Sequence, residues 1–315
     1  MERFNPELTL TSSETADLLE VHPSTVKRWC NEGDLPSGKT PGGHRRIHLE
    51  DAVEFARARG IHTVLSPFHP YEPHVWTALK EVRDEGSFRR FRSLAMGWIT
   101  RGSIRRVTHL YDALARDASI PFSAFCDQAV RGLMEQVGEA WSQGRLRVGE
   151  EHLISQAMTE VLLKVRAESD GYRTGRIEDD RPVAVVGTLE GNHHHLGSMC
   201  IRVLLERMGW EVFYLGPDVP VEDFGVIQRG RSASLVCISL TPPAAAGDVA
   251  RAVQLLEGLY DPGQPYALAF GGRVQDGVAP ELLAGPFTDV GVFGGCEEFR
   301  AEVEAGFGAR MEVVA

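Results

Sequence analysis

Long hydrophobic runs are missing. None of the 315 residues lies in a stretch approaching the roughly 18 apolar positions that cross a bilayer, and the start Met1-Glu2-Arg3-Phe4-Asn5-Pro6 lacks the apolar core of a secretory signal. Cysteine is scarce. The five (Cys30, Cys126, Cys200, Cys237, Cys296) are scattered with no Cys-x-x-Cys pair, which excludes a zinc ribbon and a disulfide scaffold and fits a reducing cytoplasm. Positive charge is in deficit, 33 Lys and Arg against 44 Asp and Glu for a net −11. That balance argues against non-specific coating of nucleic acid, but a local basic patch is compatible with it. Internal repeats and low-complexity tracts are absent too.

What is present divides into four regions. Residues 1–60 hold short helical patterns around tight turns. Residues 61–74, with Pro67, Pro70 and Pro73, show no apolar periodicity and are expected to be a linker. Residues 75–178 carry amphipathic stripes, Val75/Leu79/Val82, Val107/Leu110/Leu114 and Leu153/Ala157/Val161/Val165, which predict a helical bundle. From 179 to 315 the pattern changes to β-branched apolar runs at 183–187, 212–215, 235–239, 267–270 and 290–293, separated by helical stretches such as 197–208 and 248–259. Strands of nearly continuous hydrophobicity alternating with helices predict a parallel, doubly wound sheet. Ligands of such sheets sit beyond the carboxyl ends of the strands.

The first region reads as two short helices joined tightly. Thr11, Ser12 and Ser13 offer caps to one helix, and Pro23 suits the first turn of the next, where Val26 and Trp29 share a face. A glycine-hinged basic loop follows, Lys39-Thr40-Pro41-Gly42-Gly43-His44-Arg45-Arg46, and then a helical stretch at 50–58. Between His22 and Arg46 the net charge is +3, inside a chain of −11. This order resembles the DNA-binding domain of the MerR and excisionase-like family, a winged helix-turn-helix. The resemblance implies operator DNA as partner. Ser24, Thr25, Lys27 and Arg28 would face the major groove, and Lys39, His44, Arg45 and Arg46 would lie in a wing that grips phosphates.

In the last region, Asn192-His193-His194-His195-Leu196-Gly197 is followed after 41 residues by Ser239-Leu240-Thr241, and after 29 more by Gly271-Gly272. A bare histidine run is compatible with a surface accident or an adventitious metal site. The spacing resembles the cobalamin-binding fingerprint, D/E-x-H-x-x-G, then S-x-L or S-x-T, then GG. That resemblance implies a Rossmann-like, flavodoxin-like domain with His194 as the lower ligand of cobalt. Gly197, Ser239, Thr241, Gly271 and Gly272 would border the displaced nucleotide tail. Asn192 departs from the pattern, which has a carboxylate there to hold the second nitrogen of the ligand imidazole. Its amide oxygen is expected to accept that N–H without charge, and His193 or His195 would compete for the metal.

In the helical region, nine residues separate Trp141 from Glu151-His152. Taken singly, a bundle tryptophan is ordinary core and a Glu-His pair an ordinary solvated face. Together they match the W-x9-EH signature of the four-helix cap in CarH-type, adenosylcobalamin-dependent photoreceptor regulators, whose order of domains also matches. The resemblance implies Trp141 over the upper corrin face, Glu151 and His152 beside a 5′-deoxyadenosyl group, and a homo-oligomer, a tetramer in the dark. It implies a repressor without enzymatic activity that releases DNA in light. Best-known members place a histidine after the cap tryptophan, where this sequence has Ser142. Three other readings stay open: a corrinoid protein of a methyltransferase system, to which the DNA-binding region is foreign, a cobalamin-sensing regulator indifferent to light, and a photosensor with an additional chromophore such as a bilin, which nothing in the sequence requires.

Overall fold

The computed structural model describes residues 8–169, 181–240, 246–272 and 278–308. The chain forms two compact units, Met1–Ile120 and Pro121–Ala315.

The first unit opens with β1 (Thr9–Leu10) and α1 (Ser12–Leu18). Thr11 closes a capping box: its hydroxyl accepts the Glu14 N–H at 3.1 Å, and Glu14 accepts the Thr11 N–H at 2.7 Å. Helix α2 (Pro23–Glu32) starts on a proline, where no donor is lost, and stops at Gly33 with φ +82°. Strands β2 (Gly38–Lys39) and β3 (Arg45–His48) pair antiparallel, and β1 adds to the other edge of β3. Helix α3 (Leu49–Ala58) follows directly, and its Phe55 packs on Trp29 at 4.9 Å.

Helices α4 (Glu72–Glu85), α5 (Arg89–Ile99) and α6 (Ile104–Ala115) complete the unit. The stripes Val75/Leu79/Val82 and Val107/Leu110/Leu114 are buried, as their spacing predicts. Residues 61–74 are not the free linker that their composition suggests. Leu65 and Phe68 are completely buried, Phe68 stacks on Trp98 at 5.7 Å, and α4 already begins at Glu72. Two apolar anchors outweigh three prolines, which dictate backbone angles but not exposure.

The second unit begins with a long helix, α7 (122–142), wound as π-helix over Phe125–Arg131. Helix α8 (Val148–Glu168) follows. Its buried line is Ile154, Met158, Val161, Leu162 and Val165, while Leu153 is 59% exposed. The stripe expected from spacing therefore faces inward from Ala157 onward and is one residue off at its start.

The sheet of this unit has β4 (Val183–Leu189), β5 (Glu211–Val219), β6 (Leu235–Ser239), β7 (Ala267–Gly271) and β8 (Val290–Phe293). All pairs are parallel in the order β5-β4-β6-β7-β8, the flavodoxin-like doubly wound order. Helices α9 (Leu196–Arg207), α10 (Val221–Arg231), α11 (Ala246–Glu257) and α12 (Cys296–Glu304) cross between or follow the strands. Phe224, Val236, Ile238, Leu256, Leu268 and Phe270 form the centre of one core.

Helix α8 packs along α9, tied by Arg166–Glu206 at 2.6 Å. Helix α7 caps α12: the Asp127 carboxylate accepts the N–H groups of Cys296 (2.9 Å) and Glu297 (3.0 Å). Three cysteines far apart in sequence meet at this junction. Cys126, Cys200 and Cys296 are buried with hydrogen-bonded thiols, and the Cys126 and Cys296 thiols hold the pKa of Cys200 below the usual thiol range.

Candidate cofactor loop and nucleic-acid face

Helix α2 turns Val26 into the core, which leaves Ser24, Lys27 and Arg28 exposed and Thr25 half-buried on its other side. In the β2–β3 hairpin, Gly43 takes φ +79° and donates to the Thr40 carbonyl at 2.8 Å. That turn projects Lys39 and His44 into solvent, with Arg45 and Arg46 half-buried on β3. The Arg45 guanidinium hydrogen-bonds the Asn31 side chain on α2, so helix and hairpin present their cations together. The residues read from sequence as DNA contacts thus lie on one helix and one adjoining hairpin.

The fingerprint residues gather at the carboxyl ends of β4, β6 and β7. The loop from β4 to α9 turns at Gly191 (φ +79°) and is tied to the end of β5 twice: Gly191 N–H donates to Asp218 Oδ1 (2.8 Å), and Asp218 N–H to the Asn192 carbonyl (3.1 Å). His193 and His194 are exposed on this loop. The Asn192 side-chain oxygen accepts the backbone N–H of His194 at 3.0 Å. It does not hold the imidazole, contrary to expectation, because the short Asx arm reaches the backbone two residues on. His195 is committed elsewhere: its ring bonds Thr159 of α8 at 3.3 Å.

Gly197 is exposed, and a Cβ there would stand 3.0 Å from Ser239 Oγ, so helix α9 and strand β6 meet at that point. Among the described residues a Cβ on Gly271 would meet nothing within 4 Å, whereas a Cβ on Gly272 would lie 1.8 Å from the Leu240 carbonyl oxygen. The expectation that both glycines make room for a ligand therefore holds its physical basis only at Gly271. Gly272 is demanded by the backbone itself, at φ +120°. Thr241 lies outside the described residues.

Trp141 ends α7 with half its surface exposed, and Val148 and Leu153 on the first turns of α8 are 53% and 59% exposed. Glu151 is half-buried and accepts from Ser155 at 2.6 Å, with the exposed His152 ring 3.9 Å from its carboxylate. Ser142 turns its hydroxyl to the Glu139 carbonyl. An uncommitted imidazole, an open glycine and bare apolar side chains fit a large cofactor with an apolar face and an open metal position. Sequence reading missed the Thr159–His195 contact. No short-range signal marks it, since the partners are 36 residues apart.

The Helix-turn-helix domain family matches residues 9–60, and two B12 binding domain families match residues 98–164 and 182–304. The chain thus joins a helix-turn-helix domain to B12-binding domains. It is 27% identical over 259 residues to the HTH-type transcriptional repressor CarH of Myxococcus xanthus, covering 77% of this chain and 82% of that protein. To the repressor CarA of the same organism it is 23% identical, over 68% of this chain and 70% of that one. Dimethylamine corrinoid protein 3 of Methanosarcina acetivorans is 27% identical over 122 residues, 39% of this chain and 55% of the corrinoid protein. No helix among the described residues is long and apolar enough to cross a membrane.

Proposed function

We propose that this chain is a light-responsive transcriptional repressor of the cytoplasm, with adenosylcobalamin as its chromophore. The observation that carries the reading is the exposed, uncommitted His194 imidazole on a B12-binding domain in a chain that also presents a cationic helix and hairpin. When bound, adenosylcobalamin supplies a cobalt–carbon bond that visible light breaks.

His194 would hold the cobalt, and Gly197, Ser239, Thr241 and Gly271 would border the nucleotide tail. Trp141, in a four-helix cap, would cover the corrin. Glu151 would accept hydrogen bonds from the ribose hydroxyls of the adenosyl group, and His152 would border the same group. With that group in place the apolar surface of Trp141 is covered and a homo-oligomer, a tetramer by resemblance, holds several winged helix-turn-helix domains on one operator. Their joint grip exceeds the sum of single contacts. Without that group Trp141 and Glu151 would lack their partner and the oligomer would loosen, a two-state element biased by a ligand. Ser142 offers no nitrogen to replace that group, so the lit state lacks a protein-derived lock from this position.

The test is reconstitution with adenosylcobalamin in the dark, followed by measurement of mass and operator affinity before and after illumination. A fall in mass together with weaker operator binding is expected. Unchanged mass and affinity, with cobalamin still held, would rule out light sensing and leave a regulator that answers to cobalamin alone. Equal response to methylcobalamin in the dark would favour the corrinoid-carrier reading.

The DNA face has its own test. Arg46→Ala is expected to weaken binding about equally on all sequences and to make the salt slope shallower by about 0.9, one phosphate contact. Arg28→Ala, on the helix assigned to the major groove, is expected to change base preference instead. Titrations at several salt concentrations on operator and scrambled duplexes distinguish the two.

A further inference from the structure

The fingerprint calls for a carboxylate behind the ligand imidazole, but Asn192 spends its side-chain oxygen on the His194 backbone. The His194 ring then has no hydrogen-bond partner of its own among the described residues. An exposed histidine without a partner samples several rotamers, so its direction must come from the loop beneath it.

The neighbouring residue fixes that loop. His195 Nε2 stands 3.3 Å from Thr159 Oγ1 on helix α8. The Thr159 hydroxyl donates to the Ser155 carbonyl at 3.0 Å, so its oxygen is left to accept and His195 is the donor, with its proton on Nε2. The other ring nitrogen lies 3.5 Å from the His193 carbonyl, too far to compete. The His195 carbonyl is held as well, by the Ser198 hydroxyl and the Met199 N–H, each at 2.9 Å. Ser198 in turn meets Thr188 near the end of β4 at 2.9 Å and Tyr214 in the middle of β5 at 3.1 Å. A residue gripped at ring and carbonyl sets the backbone direction of the residue before it.

We infer that Thr159 and His195 are positioning residues for the cobalt ligand: their hydrogen bond pins the loop that carries His194 to helix α8 and holds the imidazole beneath the metal. This rests on cobalamin being bound through His194. It also joins the two faces of the cofactor. Thr159, Ser155 and Glu151 recur every four residues along one face of α8, linked by the 3.0 and 2.6 Å hydrogen bonds. The helix that steadies the lower ligand therefore carries the carboxylate assigned to the upper group.

The full chain loaded with cob(II)alamin in the dark reports the lower ligand by electron paramagnetic resonance. One histidine nitrogen splits each cobalt line into three, and into two when histidine is labelled with nitrogen-15. In Thr159→Val and in His195→Ala, the ratio of histidine-on to histidine-off cobalt is expected to fall about tenfold, the low end of what support of a metal ligand is worth. Total bound cobalamin is expected to be little changed. Thr159→Ser, which keeps the acceptor, and His195→Gln, which keeps a donor of similar reach, should restore the splitting. Full histidine splitting in both Thr159→Val and His195→Ala would overturn the inference, and the half-buried position of His195 keeps its variants available should position 159 not tolerate change. Histidine splitting that survives in His194→Ala would show a different ligand, and none in the unmodified chain would show that no histidine binds. Either result removes the reading beneath the inference, and the inference with it.

Discussion

Alanine at position 272 is expected to destabilise the α/β part of the chain by roughly 3–5 kcal/mol, the combined cost of a left-handed residue without glycine and of overpacking. The obstacle is backbone: the new Cβ would stand 1.8 Å from the Leu240 carbonyl oxygen and 2.9 Å from its carbon. No rotamer change relieves that clash. The Leu240 N–H is itself bonded to the Gly271 carbonyl at 2.7 Å, so the two strand ends cannot separate without losing pairing. Thermal melting of the cobalamin-free protein should drop by on the order of 10 °C. Gly271→Ala is the matched control. Its Cβ would meet nothing within 4 Å, so stability should move by no more than about 0.5 kcal/mol, while cobalamin affinity falls if the nucleotide tail fills that space. Equal melting of the two variants would mean that the close approach at Gly272 does not exist in solution.

Loss of the His194 ring is the second large effect. In His194→Ala the absorption spectrum typical of an imidazole below cobalt is expected to vanish. Affinity for cobalamin should fall at least about tenfold, since removing even a group that supports a ligand costs about 10–100-fold. Binding should not vanish, because the contacts proposed between the tail and Ser239, Gly197 and Gly271 are left in place. His193 is the only neighbour whose ring is free to compensate on the described loop, His195 being engaged by Thr159. The double variant His193→Ala/His194→Ala therefore decides whether residual imidazole character comes from next door. A spectrum unchanged in His194→Ala would assign the metal elsewhere.

The sequence by itself determined whatever follows from short-range chemistry. β-Branched runs between helical periods specify the parallel sheet. Thr11, Ser12 and Ser13 offer a helix cap, Pro23 a helix start, and the charge reversal between His22 and Arg46 a local cationic patch. The spacing of His194, Gly197, Ser239 and Gly271-Gly272 puts those residues at the ends of neighbouring strands, because a crossover helix returns each strand to the same edge. Only the tertiary structure decided which atoms meet. It buried Leu65 and Phe68 in a stretch whose composition reads as linker, since exposure depends on the presence of a cavity to fill. It gave the inward place at the start of α8 to Ile154 over Leu153, a choice of about 100° in helix rotation that two adjacent apolar residues leave open. It turned the Asn192 oxygen to the backbone, set the His195 ring against Thr159, brought Cys126, Cys200 and Cys296 together, and separated the reason for Gly272 from the reason for Gly271. Each of these depends on contacts between elements tens of residues apart, and such contacts leave no period in the sequence because they are fixed only when the helices dock on the sheet.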